Sequence, residues 1–175
     1  MDELLRELEE DFGTGKVFRP YRDVRFSKDK SPYKTNMAAM VGDAGYVSLS
    51  VTGLGVGSGM FHMAADQLDQ YRRAVDDDTT GGQLEAIGAA LQRQGQEFIA
   101  HDRLKTAPRG YAKDHPRLDL LQWKGLATWR QWPPAAWLGT REAKGRIAKA
   151  LAAGEALNEW LAASVGRTTM EQARR

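Results

Sequence analysis

The residues best suited to binding or catalysis lie in a polar segment that runs from Arg22 to Lys34. Guanidinium and ammonium groups dominate this segment, together with hydroxyl groups and two carboxylates. Arginine binds a phosphate or carboxylate through two parallel hydrogen bonds, and lysine adds a compact positive charge. The segment therefore predicts a site for a small anion, with these candidate ligand-binding residues: Arg22, Arg25, Lys28, Lys30, Tyr33 and Lys34.

Two cations from later in the chain extend this hypothesis. Arg109 lies in a Pro-Arg-Gly-Tyr loop, and Lys124 follows a short helix that is predicted to start near Pro116. If these loops fold against the first segment, Arg109 and Lys124 complete a positively charged pocket, and the helix start adds backbone N–H donors. An alternative stays open, in which Arg22 and Arg25 only hold an irregular loop in place by pairing with Asp23, Asp29 or Asp114.

His115 is the main candidate for acid–base catalysis. Imidazole has a pKa near neutrality, and the neighbouring Asp114 could stabilise its charged form. A structural role is the alternative, because Pro116 at the first helical position would make His115 a helix cap. Asp23 is a weaker catalytic candidate, since a second aspartate and a lysine follow it as in the acidic sites of metal-dependent nucleases.

The sequence predicts no metal site and leaves the cofactor unknown. His62 and His101 show no ligand spacing with each other or with His115. The chain contains no cysteine, which excludes a disulfide framework, a thiolate metal site and a cysteine nucleophile. It also contains no phosphate-binding loop, nucleophile elbow or dinucleotide fingerprint.

Length and composition are typical of a globular domain. The chain has 175 residues, of which 42% are hydrophobic and 27% charged. We predict a single domain over residues 1–166 and a polar tail over residues 167–175. The formal net charge of +2 is too small to indicate nucleic-acid binding by itself. The acidic start and the lack of a long apolar run predict a cytoplasmic protein without membrane contact.

The elements that must position these residues are predicted to form an α+β fold. Turn signals and alternating side chains predict an antiparallel three-stranded meander over residues 35–61. One or two further strands are predicted at residues 96–100 and 124–132. Helical spacing of apolar residues predicts about five helices, which lie near residues 1–12, 66–77, 84–95, 116–121 and 140–165, the last with a weak point at Gly154.

Four glycines occupy every second position of the third predicted strand. They are Gly53, Gly55, Gly57 and Gly59. Side chains alternate between the two faces of a strand, so one face carries no side chains here. Glycine weakens a strand, and the repetition therefore predicts a close neighbour on that face, either a packed element of the protein or a ligand.

Three motifs occur together in a characteristic order. They are the segment 22–34, the Pro-Arg-Gly-Tyr loop at 108–111, and Asp114-His115-Pro116 followed by Lys124. Their order and spacing resemble the domain of unknown function 2461 family, conserved hypothetical proteins of bacteria and fungi. The resemblance extends from about residue 4 to residue 166 and includes Trp-Pro-Pro and Trp-Leu motifs typical of a bacterial subgroup. It implies no reaction. Family members usually begin with a further helical segment, which we expect to be missing before Met1.

Three functions are compatible with these observations. The first is binding of a small anionic ligand in a basic pocket, with or without catalysis. The second is a nucleic-acid-binding module in which the basic segment contacts phosphates and Phe26 or Tyr33 stacks on bases. The third is a structural or partner-binding protein whose tryptophans serve the core or an interface. The oligomeric state is not indicated by the sequence.

Overall fold

The computed structural model describes residues 1–19 and 35–170. In these ranges the chain has five helices of ten or more residues, one four-residue helix and six strands, which confirms the predicted α+β class. The helices are α1 (Asp2–Phe12), α2 (Ala65–Asp76), α3 (Asp78–Arg93), α4 (Leu118–Leu121), α5 (Arg141–Ala153) and α6 (Glu155–Ser164). The strands are β1 (Lys16–Val17), β2 (Asn36–Val41), β3 (Gly45–Ser50), β4 (Gly53–Met60), β5 (Glu97–Ile99) and β6 (Leu126–Trp132).

The strands form one sheet in the order β1-β2-β3-β4-β6-β5. β2 and β3 pair antiparallel, from Asn36 opposite Ser50 to Val41 opposite Gly45, as the predicted meander requires. β5 and β6 correspond to the two further predicted strands and also pair antiparallel. β1 was not predicted, because a two-residue strand is too short to show an alternating pattern. No helix in the described ranges has the length and hydropathy needed to cross a membrane.

The chain divides into two compact units. Unit 1 contains the described residues of Met1–Gly57 and Arg130–Ala152. Its core combines α1, the first strands and α5, with Leu8, Val47 and Ile147 almost completely buried. The apolar residues of α1 lie on one face of the helix and its acidic residues on the exposed side, so the sequence pattern alone explains how α1 is oriented.

Unit 2 contains the described residues of Ser58–Trp129 and Ala153–Arg175. Its core is built from α2, α3, α4 and α6 around the buried ring of Tyr71. Tyr71 and Val75 are four residues apart on α2 and therefore share its inner face. The ring of Trp160 on α6 meets Tyr71 edge to face at a centroid distance of 6.3 Å.

The start of α3 differs from the predicted position. The sequence predicts this helix near residues 84–95, after a break at the Thr-Thr-Gly-Gly stretch 79–82, but the helix begins at Asp78. The break between α2 and α3 lies instead at Asp77. The carboxylate of Asp77 accepts hydrogen bonds from the backbone N–H groups of Thr79 and Thr80. This is the usual role of an N-cap aspartate, which satisfies donors that the first helical turn leaves unpaired. The predicted weak point at Gly154 is confirmed, since it separates α5 from α6.

The glycine repeat of β4 is explained in part by the neighbouring backbone. Gly53 and Gly59 have φ angles of +110° and +124°, which favour glycine. A Cβ atom at Gly53 would overlap the carbonyl oxygen of Trp132, and one at Gly59 would lie 2.7 Å from the carbonyl oxygen of Leu126. At these two positions the close neighbour is protein backbone. Gly55 and Gly57 are buried.

The start of the predicted polar tail is held against α2. The carboxylate of Asp66 accepts hydrogen bonds from the hydroxyl group of Thr168 and from the backbone N–H and hydroxyl group of Thr169. These donors, with the backbone N–H of Thr169 the strongest, lower the pKa of Asp66 to about 2 despite partial desolvation. Residues 168 and 169 are therefore tied down by a charged acceptor.

Replacement of Asp66 by alanine is expected to release this contact. The backbone N–H of Thr169 should then exchange with solvent at least tenfold faster, measured by hydrogen exchange and NMR. Because the folded-state pKa of Asp66 is lowered, the carboxylate stabilises the fold above its ordinary pKa near 4 and loses this effect as the pH falls toward 2. Asp69→Ala on the exposed side of α2 is the control and should leave the Thr169 exchange rate unchanged. An unchanged rate in Asp66→Ala would contradict the assignment.

Candidate functional site

Most of the predicted anion-binding residues lie outside the described residues. Their convergence with Arg109 and Lys124 therefore stays a prediction. The residues concerned are Arg22, Arg25, Lys28, Lys30, Tyr33 and Lys34, together with the catalytic candidate Asp23.

Arg109 occupies an exposed turn in unit 2. The backbone N–H of Tyr111 closes this turn on the carbonyl oxygen of Pro108 at 3.2 Å. In the described ranges no hydrogen bond or ion pair joins Arg109 to Lys124. A different arginine, Arg103, holds this part of the chain in place by donating to Asp119 and to the buried Gln122. The alternative in which Arg22 and Arg25 hold their own loop in place concerns residues outside the described ranges and stays a prediction.

His115 makes polar contacts through both of its ring nitrogens. Its Nδ1 accepts a hydrogen bond from the backbone N–H of Arg117 at 3.0 Å, and its Nε2 lies 3.1 Å from Asp76. The carboxylate that faces it is therefore Asp76 on α2, whereas the predicted partner Asp114 is exposed. Both ring nitrogens of His115 are therefore engaged within the protein. The helix α4 begins at Leu118 with Arg117 at its N-cap position, so His115 does not cap a helix that starts at Pro116, and its contacts favour a structural role.

Lys124 lies in a polar cluster at the start of β6. Its ammonium group donates to the carboxylate of Asp102 at 2.5 Å. Next to Asp102 in the chain, the ring of His101 contacts the ring of His62, and the exposed ring of Phe61 meets His101 at a centroid distance of 6.2 Å. We call these five residues the histidine corner: Phe61, His62, His101, Asp102 and Lys124.

Backbone hydrogen bonds connect the three chain segments of the histidine corner. The N–H of His101 donates to the carbonyl oxygen of Phe61 at 3.1 Å, and the N–H of Lys124 donates to that of Asp102 at 3.0 Å. The N–H of Met63 donates to the carbonyl oxygen of Lys124 at 3.3 Å. These bonds fix the backbone positions from which the side chains project, so the cluster is organised by the fold itself.

The charges of the histidine corner are balanced. The hydrogen bond from Lys124 is the largest of the effects that hold the pKa of Asp102 below its ordinary value, and the backbone N–H of Arg103 adds to it. Asp102 is therefore ionised at neutral pH and neutralises Lys124. Arg103 is paired in the same way with Asp119. The two imidazoles thus lie beside compensated ion pairs and are accessible to solvent.

Sequence analysis missed the pairing of His62 with His101, because the two residues are 39 positions apart and share no motif. A signal was nevertheless present. His62 stands two residues after β4 and His101 two residues after β5, and both strands flank β6 in the sheet. Residues that follow strands at one edge of a sheet can meet, but this requires the strand order, which the sequence did not specify.

The tryptophans do not decide the partner-binding hypothesis. Of the four between residues 123 and 137, Trp132 is buried in unit 1 and the others are half-buried. Within unit 1, Trp132 and Trp137 meet edge to face at 6.1 Å, and the guanidinium of Arg146 lies 4.4 Å from the ring centroid of Trp137. Packing thus accounts for much of their apolar surface.

Comparisons with known proteins identify the family but no activity. Neither the curated proteins nor the solved structures contain a significant match to this chain. A family model described as conserved hypothetical protein, DUF2461, matches residues 1–160. This match covers nearly the whole chain and confirms the resemblance that the three motifs suggested. The chain therefore belongs to the domain of unknown function 2461 family.

Proposed function

We propose that the protein binds a small anionic ligand at the histidine corner. The observation that supports this proposal is the position of Lys124, whose side chain is 34% exposed and bonded to Asp102, the residue after the exposed His101. An ammonium group has three N–H donors, and Asp102 engages only part of this capacity. The remaining donors are available to a phosphate or carboxylate oxygen at the protein surface.

The imidazoles and the aromatic ring of Phe61 add to the recognition of such a ligand. Each neutral imidazole carries one N–H donor, and a protonated ring carries two. Phe61 is 48% exposed, although large apolar side chains are usually buried. A ligand with an acidic group and a small apolar or planar part would contact the ammonium group and this ring together.

The basic segment 22–34 and Arg109 are predicted to extend the site. The ion pairs of the histidine corner itself are balanced. The cationic groups of the basic segment and of Arg109 would therefore raise the positive potential around it. A ligand with two acidic groups, such as a phosphate ester with a carboxylate, would use both parts. This extension is a prediction from the sequence motifs, and binding at Lys124 can be tested without it.

Titration with inorganic phosphate tests the proposal. We expect the backbone N–H signals of residues 61–63, 101–102 and 124–125 to shift saturably in NMR spectra. Lys124→Ala should weaken phosphate binding at least tenfold, because a charge-assisted hydrogen bond contributes about 1.5–3 kcal/mol. Lys124→Arg keeps the charge and should retain binding.

Lys144→Ala is the matched control for Lys124→Ala. Lys144 is also a partly exposed lysine, 39% exposed, and lies 3.5 Å from a carboxylate oxygen of Glu7 in unit 1. Removing it changes the net charge by the same amount, so phosphate binding should remain within twofold of the unmodified protein. Equal weakening in both variants, or no saturable shifts at all, would reject the site.

The salt dependence separates this proposal from the nucleic-acid alternative. One acidic ligand group releases few counterions, so phosphate binding should weaken only severalfold between low and moderate salt. A protein that contacts many phosphates of a single strand loses affinity by orders of magnitude over the same range. Tight, steeply salt-dependent binding of an oligonucleotide without phosphate-induced shifts at Lys124 would favour the alternative.

A further inference from the structure

The contact between His62 and His101 differs from an ordinary hydrogen bond between side chains. Nδ1 of His62 lies 3.2 Å from Nε2 of His101, with ring centroids 4.3 Å apart and ring planes at 61°. A straight N–H···N bond in the planes of both rings would place the centroids about 5.5 Å apart. The two rings are therefore tilted away from this in-line arrangement. Their two nitrogen atoms lie side by side at the protein surface.

The separation of the two nitrogens matches a shared metal ion. Zinc binds imidazole nitrogen at about 2.0–2.1 Å, and two such bonds at a tetrahedral angle place the nitrogens about 3.3 Å apart. The observed 3.2 Å agrees with this value. Two rings whose nitrogens point at one ion would have their centroids about 5.2 Å apart, so both rings must turn from the observed 4.3 Å before an ion binds.

We propose that His62 and His101 together bind a divalent transition-metal ion of the zinc, nickel or copper class. Imidazole suits these ions, whereas magnesium and calcium prefer oxygen ligands. Nothing in the described part of the chain groups three or more histidine, aspartate or glutamate side chains around one metal position. The proposed ion therefore has two protein ligands, and water occupies its remaining coordination positions.

The surroundings of the two rings favour occupancy by a cation. The backbone hydrogen bond from His101 to Phe61 sets the distance between the two chain segments, so little ordering is needed when an ion binds. Lys124 and Arg103, the cations in this region, are each paired with a carboxylate, which limits their repulsion. Asp102 follows His101 in the chain, and its ionised carboxylate compensates the charge of Lys124 in this region.

This inference goes beyond the anion proposal and does not depend on it. It rests on the two imidazoles, whereas the anion proposal rests on the ammonium group of Lys124. The zinc experiment uses a buffer free of phosphate and carboxylates. Lys124→Ala should keep zinc binding in that buffer, since Lys124 contacts Asp102 and not the rings. Absence of saturable phosphate binding to the unmodified protein, together with saturable zinc binding, would therefore reject only the anion proposal, and the reverse result only the metal proposal.

Calorimetric titration of the full chain with Zn²⁺ tests the metal site. We expect one saturable ion per chain and no saturable heat with Mg²⁺. His62→Ala and His101→Ala should each weaken Zn²⁺ binding at least tenfold, and the double variant should abolish it. Both rings are exposed, so these variants should keep the far-ultraviolet circular dichroism of the unmodified protein.

His115→Ala is the matched control, because the chain contains three histidines and His115 is engaged by Asp76 and Arg117. Its zinc affinity should stay within twofold of the unmodified protein. The NMR signals of the ring protons of His62 and His101, and not of His115, should respond to Zn²⁺. The proposal is overturned by the absence of saturable binding, by binding that survives the double variant, or by equal loss in His115→Ala.

Discussion

Gly125→Ala is expected to lower the free energy of unfolding by about 3 kcal/mol, because the new methyl group has no space. A Cβ atom at Gly125 would overlap the carbonyl group of Phe61 and lie 2.9 Å from the carbonyl oxygen of Met60. These are backbone atoms at the end of β4, which cannot move aside as the end of a flexible side chain can. Either β4 or the start of β6 must shift.

The same shift should disturb the histidine corner. Phe61 accepts the hydrogen bond from His101, and His62 is the next residue in the chain. Displacing Phe61 therefore separates the two imidazoles. At a temperature where Gly125→Ala is still folded, we expect its Zn²⁺ affinity to fall at least tenfold, although the variant retains both histidines.

Urea denaturation followed by tryptophan fluorescence measures the change in stability, and Gly145→Ala provides the control. Gly145 lies on the exposed side of α5, and apart from its chain neighbours and the nearby backbone of α5 itself, no atom of the described residues lies within 4 Å of the position that a Cβ atom would take there. Alanine is the better helix former at such a position, so this variant should gain about 0.5–1 kcal/mol. If the free energy of unfolding of Gly125→Ala stays within about 1 kcal/mol of the unmodified protein, below the usual cost of overpacking, the close approach is wrong.

Much of the fold could be predicted from local patterns. Alternating side chains and turn residues locate β2, β3 and β4, and helical spacing with Gly13 and Gly154 locates α1 and the break between α5 and α6. These features depend on neighbours in the chain, which a sequence displays directly. The predicted start of α3 was wrong, because two glycines suggested a break there. The cap formed by Asp77 determines the actual helix start.

The candidate site could be predicted less well, because its contacts join distant segments. Lys124 was correctly placed after a short helix, but its partner Asp102 is 22 residues earlier and outside every motif. His115 was predicted beside Asp114, yet it faces Asp76 at the end of α2. Ionisable side chains choose partners by position in the folded chain, and the strand order and helix packing that set those positions have no local signature.

Tyr71→Ala is expected to be the most destabilising substitution in unit 2, with a loss of about 3–5 kcal/mol. The ring is fully buried against Trp160, and its hydroxyl group donates to the carbonyl oxygen of Leu120 at 3.0 Å. Alanine would leave a cavity among helices α2, α4 and α6. Tyr71→Phe keeps the ring and removes only one hydrogen bond, so its cost should be about 1 kcal/mol.

Tyr111→Ala is the control for the cavity, since Tyr111 is only half-buried at the edge of the same cluster. Less apolar surface is lost there, and the change in unfolding free energy should be clearly smaller than in Tyr71→Ala. Equal losses in urea denaturation would show that Tyr71 is not the centre of the core.

The pH dependence of Tyr71→Phe tests the burial of the hydroxyl group independently. Burial raises the pKa of Tyr71 well above its ordinary value, because the phenolate would lose its hydration. For a group whose pKa is raised in the folded state, the stabilising effect is complete below the ordinary pKa near 10 and is lost as the pH rises above it. The unmodified protein should therefore lose its advantage over Tyr71→Phe above about pH 10. A difference in unfolding free energy that stays constant from neutral to alkaline pH would mean that the hydroxyl group is solvated in the folded state.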